Sequence, residues 1–278
     1  MTDRPARPAH LDALTPPEMA ERAEAVGVAK AGLPAATTFA LAVLAGAFIA
    51  LGGMFSTAVA AGGPGTWPWG VHRLFVGAAF SLGLVLVVVG GAELFTGNVL
   101  LVMAWRSGRL RAGRVLRNWA IVFVGNAVGA LGTAALATVA EFHAFGGGQV
   151  GAATFAAADA KCALGFPRAL ALGVLCNALV CLAVWMNLSA RTSADRVLVT
   201  IPPVAAFVAC GFEHSIANLY AVPVALLERW VWGLEVEAPH LGWRAFLVDN
   251  LLPVTLGNVI GGGVLVAVVY QFVYLRRR

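Results

Sequence analysis

Glu213 and His214 stand side by side, the only acidic or basic side chains (Asp, Glu, Lys, Arg or His) between Val197 and Leu227. A carboxylate beside an imidazole can pass a proton, take part in metal binding, or hydrogen-bond a small anion. Both groups are costly in an apolar medium. A charged side chain at the middle of a membrane span costs roughly 2.5–3.5 kcal/mol on insertion scales, which makes such residues functional candidates. Glu93 is equally isolated, the one charge between Leu74 and Trp105. Each glutamate is followed at the same spacing by an asparagine: Glu93-Leu-Phe-Thr-Gly-Asn98 and Glu213-His-Ser-Ile-Ala-Asn218. Metal chemistry would need more His, Asp or Glu than the single histidine inside these apolar runs. Cys162, Cys176, Cys181 and Cys210 have no metal-ligand or redox spacing and read as small packing residues. Neither a metal nor a cofactor is expected, and a membrane enzyme built on Glu93, Glu213 and His214 is disfavoured.

The elements that carry these residues are membrane spans. The chain is 60% hydrophobic and only 12% charged, against about 25% charged in soluble domains. No Asp, Glu, Lys or Arg occurs in 31–72, 118–140, 169–190 or 250–275. With 74–105 and 197–227, that makes six runs, each long enough for one helix across the hydrocarbon core, which takes roughly 20 residues. The expected fold is an all-α integral membrane protein of six transmembrane helices. Residues 1–33 form an N-terminal segment, 34–275 the spanning domain, and 276–278 a basic C-terminus. Within the first segment, Thr15-Pro16-Pro17-Glu18 predicts a capped helix start, and a short amphipathic surface helix follows to about Lys30.

Basic residues set the orientation. With both termini in the cytoplasm, Arg4, Arg7, Arg22, Lys30, the Arg106–Arg117 group, Arg191, Arg196 and Arg276–Arg278 all lie inside. Only Arg73, Lys161, Arg168, Arg229 and Arg244 lie outside. The net charge of +5 is therefore a topology signal and gives no reason to expect nucleic acid as a partner. Trp67, Trp69, Trp230, Trp232 and Trp243 fall at outer span ends, and Trp105, Trp119 and Trp185 at inner ends, as interfacial belts do.

The paired motifs amount to an internal repeat. The spans after the two Glu-x4-Asn motifs also match: Gly125-Asn-Ala-Val-Gly129 and Gly257-Asn-Val-Ile-Gly261. Residues 34–141 and 165–275 thus form two three-helix units. Three spans is an odd number, so the second unit enters from the opposite side, the inverted repeat common in transporters. The run 74–105 would be about 48 Å long as one helix, more than the ~30 Å core. The second and fifth helices are therefore expected to break at the motifs, with Glu93, Asn98 and Glu213 satisfying the freed backbone groups.

These motifs, together with Cys210-Gly-Phe-Glu-His-Ser-Ile-Ala-Asn218, Asn250-Leu-Leu-Pro-Val-Thr-Leu-Gly-Asn-Val-Ile-Gly-Gly-Gly263 and Cys176-Asn-Ala-Leu-Val-Cys-Leu-Ala-Val-Trp-Met186, resemble those of the formate/nitrite transporter family. The resemblance runs from about residue 15 to the end. It implies an aquaporin-like fold, a homopentamer with a pore in each subunit, and residence in the bacterial cytoplasmic membrane. It implies substrates that are small monovalent anions of weak acids, formate first, with nitrite or hydrosulfide as the alternative. By motif position, His214 matches the central pore histidine, Thr96 the threonine of the second-span break, Lys161 the lysine of the outer vestibule, and Asn218 the asparagine grouped with them. By register, Phe80, Leu84 and Phe207 fall at an outer constriction, and Leu94, Phe95 and Val180 at an inner one.

A mechanism follows from these expectations. Lys161 and helix ends draw in an anion. A bare anion in an apolar slot keeps a desolvation penalty of several kcal/mol, which the neutral acid avoids. His214 would supply the proton, and plain anion conduction gated by His214 is the rival. An aquaporin-like neutral-solute channel is a weaker reading, because the chain has no Asn-Pro-Ala motifs.

Overall fold

The computed structural model describes residues 13–63 and 65–276. Arg4, Arg7, Arg277 and Arg278, used above for orientation, lie outside the described residues. The described chain is helical, without a strand. α1 (Pro16–Gly32) begins where Thr15 predicts, the Thr15 N–H donating to Glu18 Oε2 at 2.8 Å. α2 (Ala35–Ala60) and α3 (Trp69–Gly90) follow. The chain then leaves the helix and resumes as α4 (Phe95–Asn98), a 3-10 turn (Val99–Leu101) and α5 (Val102–Arg106). α6 (Ala112–Val139) completes the first unit.

The second unit repeats this order. α7 (Gln149–Cys162) corresponds to α1, α8 (Phe166–Ser189) to α2, and α9 (Ser193–Ala209) to α3. After an interruption, α10 (Ser215–Trp232) takes the place of α4 and α5. The last helix, residues 245–274, corresponds to α6. It runs as a wider π-helical segment (Ala245–Leu251), α11 (Leu252–Ile260), a second π-helical segment (Gly261–Val268) and α12 (Val269–Tyr274). The correspondence therefore reaches beyond 34–141 and 165–275, because each unit also has its own leading helix.

Among the described residues, five helices are long and apolar enough to cross a membrane: α2, α3, α6, α8 and residues 245–274. The run 197–227 is divided between α9 and α10, with the interruption at residues 210–214. Gly211, with φ of 73°, turns the chain out of α9, as Gly91, with φ of 74°, turns it out of α3. This left-handed conformation suits a residue without Cβ.

Close helix contact rests on the Gly-Asn-x-x-Gly pairs. A Cβ on Gly129 would lie 2.0 Å from the Val43 carbonyl oxygen, and one on Gly261 2.1 Å from that of Val174. Small residues let helix backbones approach where lipid gives no hydrophobic drive. Hence α2 packs along α6 and α8 along α11, while α3 against α9 and α6 against α10 join the two units.

The tryptophan belt differs from expectation at its inner side. Trp67, Trp69, Trp105, Trp230, Trp232 and Trp243 are exposed, but Trp185 is buried and Trp119 half-buried. Trp119 spends its indole N–H on the Asn98 carbonyl at 2.9 Å, so it braces the first interruption instead of facing headgroups.

Candidate functional site

The two interruptions are held by matching sets of side chains. At the first, Glu93 Oε2 accepts from Asn98 Nδ2 at 2.6 Å, and Oε1 lies 3.0 Å from Lys30 Nζ. Asn98 Nδ2 also donates to Asn118 Oδ1 at 3.0 Å. At the second, Glu213 Oε2 accepts from Asn218 Nδ2 at 2.7 Å and from Asn250 Nδ2 at 3.1 Å. Its Oε1 lies 2.8 Å from Lys161 Nζ, and Asn218 Nδ2 donates to Asn250 Oδ1 at 2.7 Å. Both carboxylates are buried, about 4% exposed. Burying a charge is tolerable only when it is paired and its lone pairs are hydrogen-bonded, which is what the lysine and amides provide.

The backbone is satisfied by other residues than expected. Glu93 and Glu213 take side-chain donors, whereas Asn126 and Asn258 serve the freed main chain. Asn126 Oδ1 accepts the Phe95 N–H, and its Nδ2 donates to the Ala42 and Glu93 carbonyls. Asn258 Oδ1 accepts the Ser215 N–H, and its Nδ2 donates to the Gly173 and Glu213 carbonyls. Each glutamate main-chain N–H crosses to the second helix of its own unit, Glu93 to the Leu41 carbonyl on α2 and Glu213 to that of Leu172 on α8. A carboxylate cannot donate to a carbonyl, but an amide can serve both kinds of group. The matched Gly-Asn-x-x-Gly offsets were the signal for these two asparagines.

Lys30 is a residue that sequence reasoning missed. It sits in the last turn of α1, as Lys161 sits in the last turn of α7. Its Nζ also donates to Asn98 Oδ1 at 2.9 Å. Thus α1 is not simply a surface helix, and Lys161 is not a free vestibule charge: each lysine neutralises a buried glutamate.

Between the interruptions lie the two residues that differ most from this symmetry. His214 and Thr96 are buried, and His214 Nε2 is 2.9 Å from Thr96 Oγ1. His214 also caps α10, its Nδ1 accepting the Ala217 N–H at 3.1 Å. A neutral imidazole has one donor and one acceptor nitrogen. With Nδ1 accepting, the ring hydrogen resides on Nε2 and is donated to Thr96. The Thr96 carbonyl accepts from Asn177 Nδ2 at 3.2 Å, and from the Cys181 thiol, fixing the threonine in turn.

Apolar side chains flank this pair. Phe207 stacks on His214 with centroids 5.9 Å apart and meets Phe80 edge-on at 5.8 Å. Leu84, one helical turn from Phe80, lines a cavity of about 250 Å³ together with Leu94. Arg22, Lys30, Glu93 and Arg196 also line that cavity, giving it a net positive charge. Phe95 turns its ring to Trp119 and Phe123 of α6, while Val180 lies buried on α8. Among the described residues no group of three or more His, Cys, Asp or Glu could hold a metal ion.

Comparison with known proteins agrees with this geometry. The family model described as formate/nitrite transporter matches residues 17–272. The formate channel FocA of Escherichia coli K12 is 44% identical over 275 residues, 96% of each chain. FocA of Haemophilus influenzae is 37% identical over 94% of each chain. The solved structure titled as a pentameric formate channel with formate bound superposes with a TM-score of 0.79 at 42% identity, covering 87% of this chain and 98% of that one. The family match over nearly the whole chain, and these identities, make this protein a multi-pass membrane member of the formate/nitrite transporter family, a channel and not an enzyme.

Proposed function

We propose that this protein passes formate across a bacterial cytoplasmic membrane, through each subunit of a homopentamer, and that the His214–Thr96 pair handles the substrate at the centre of the path. The chain would cross the membrane six times in two oppositely directed units. α3 with α4 and α5 would form the interrupted second crossing, α9 with α10 the fifth, and both termini would lie in the cytoplasm. The observation that carries the reading is a buried hydrogen-bonded pair, His214 Nε2 to Thr96 Oγ1 at 2.9 Å, with Phe207 stacked on the imidazole and Phe80 edge-on to Phe207. The relatives named as formate channels support the choice of formate.

The path works as follows. Arg22, Lys30 and Arg196 raise the local concentration of anions in the cavity beside Leu84 and Leu94. The Asn218 side chain keeps Glu213 paired beside the centre and makes no hydrogen bond to the His214 or Thr96 side chains, while its main-chain N–H donates to the His214 carbonyl. The hydroxyl hydrogen of Thr96 has no acceptor in the His214 bond, so it is available to a carboxylate oxygen arriving at the pair. The apolar layers make a bare anion costly by several kcal/mol, so formate crosses with a proton. Handing on the Nε2 hydrogen without forming an imidazolate requires a second proton at Nδ1. The ring must then release the Ala217 N–H, a loss of about 1–3 kcal/mol for an unsatisfied buried group.

The test is uptake of formate, nitrite and hydrosulfide measured in parallel into liposomes holding the purified protein. Formate is expected to pass fastest. Faster passage of nitrite or hydrosulfide would replace it as substrate, and equal passage of an uncharged solute such as glycerol would favour a neutral-solute channel.

A further inference from the structure

A second cavity, of about 640 Å³, lies where the turn after α5 meets α1 and the end of α12. It shares no lining residue with the cavity beside Leu84 and Leu94. Its charged groups are Arg106, Arg109, Arg276 and Glu24. Glu24 Oε2 is occupied by Arg109 Nη1 at 2.8 Å, so these two cancel. Arg106 makes no hydrogen bond or ion pair with another described residue. Arg276 lies over the Phe272 ring, 4.5 Å from its centroid, a contact that fixes the guanidinium plane without using its N–H groups. Ser107 Oγ lies buried in the same wall without a partner. Two guanidiniums with spare donors therefore line one space, and an unpartnered hydroxyl lies within its wall.

The turn that carries them is tied down. The N–H groups of Ser107, Gly108, Arg109 and Leu110 all donate to carbonyls of the preceding helix: Met103, Trp105, and Ala104 twice. Donors held in place before binding lose less entropy when a ligand arrives.

One wall of the cavity is apolar and outward-facing. Phe272 lines it and is exposed, as are Val269 and Val273 on the same helix and Trp105 beside Arg106. A dissolved anion gains nothing from such a wall, whereas a lipid has both a charged head and a chain to lay on it. We propose that this cavity binds an anionic phospholipid. Arg106, Arg276 and Ser107 hold its phosphodiester, and the Phe272 face takes an acyl chain. Guanidinium N–H groups suit phosphate oxygens, and basic pockets at membrane-helix ends select anionic headgroups. The inference depends only on the protein lying in a membrane. It is independent of which solute passes through, and of which end faces the cytoplasm.

The experiment is native mass spectrometry of the detergent-purified oligomer, after exposure to phosphatidylglycerol or to phosphatidylcholine with the same chains. The wild type is expected to retain phosphatidylglycerol about thirtyfold better, a ratio that two arginines at about 1 kcal/mol each supply. Arg106→Ala with Arg276→Ala should abolish that preference, and Ser107→Ala should reduce it. Arg106→Lys with Arg276→Lys, which keeps the charge, should retain most of it. Equal retention of the two lipids by the wild type overturns the proposal, and this holds even if a variant fails to assemble. An unchanged preference in the double alanine variant overturns it too. Displacement of bound phosphatidylglycerol by millimolar inorganic phosphate would mark a soluble-anion site and overturn the lipid assignment.

Discussion

The two interruptions, 91–98 and 211–218, share one scaffold and differ in the residues it presents. In both, a left-handed glycine precedes a buried Glu-x4-Asn motif, a lysine from the leading helix neutralises the glutamate, and an asparagine from the closing helix ties down the backbone. Between Glu and Asn the sequences diverge. Leu94 stands where the second unit has His214, and Ile216 stands where the first has Thr96. Each unit thus contributes one polar residue to the centre and one apolar residue opposite its partner's polar one. A duplicated frame supplies rigidity twice, and the chemistry arises once, from the difference.

The largest effects should come from the shared frame. Glu93→Ala strands Lys30 and the Asn98 amide, and Glu213→Ala strands Lys161 and the Asn218 and Asn250 amides. Breaking a buried pair costs about 3–5 kcal/mol, so both variants should lose most of their detergent-stable oligomer. Oligomer yield by size-exclusion chromatography checks this. Full yield for one of the two would break the equivalence of the interruptions, and full yield with transport lost would recast that glutamate as a proton carrier.

Asn126→Ala and Asn258→Ala each delete three hydrogen bonds to main-chain groups. The penalty should be similar for both, about 2–3 kcal/mol for the buried groups left unpaired. Thermal melting of the two variants side by side measures it. A difference larger than that penalty would show that one interruption is braced by something the other lacks.

Smaller effects should separate frame from chemistry. Thr96→Val removes the hydroxyl at nearly constant volume and should slow formate flux about tenfold, the factor expected for about 1.4 kcal/mol. Assembly should be preserved. Ile216→Val, at the matching position of the other unit, should leave flux within about twofold, because trimming one methylene there touches only packing. Equal slowing by both would remove the distinction drawn between the two positions.

The repeat itself was legible because it is written in polar residues within apolar runs. Glu-x4-Asn and Gly-Asn-x-x-Gly recur at corresponding places, and a costly residue in lipid needs a reason. Lys30 was not legible in the same way. It belongs to a helix whose composition reads as surface, and only the packing of α1 on α5 and α8 brings its last turn to Glu93. Trp119 and Trp185 misled for a related reason: a tryptophan near a span end is ordinary at an interface, and its burial depends on neighbours outside its own helix. The apolar residues were legible only as a register. Leu84 sits one turn from Phe80 yet faces the cavity shared with Leu94, and Phe95 points to α6, details that helix rotation decides.

The central claim is that the His214–Thr96 pair lets formate cross an apolar slot together with a proton. It is tested most directly by following formate uptake and lumenal pH together in liposomes, with protein-free liposomes subtracted. The comparison is between wild type, His214→Phe and His214→Asn. Asparagine can cap α10 and hydrogen-bond Thr96, but it does not titrate. The wild type should acidify the lumen in proportion to formate taken up, about one proton per anion, and both variants should lose that coupling whatever leak remains. Uptake by the wild type without acidification, or full coupling in His214→Asn, would contradict the account.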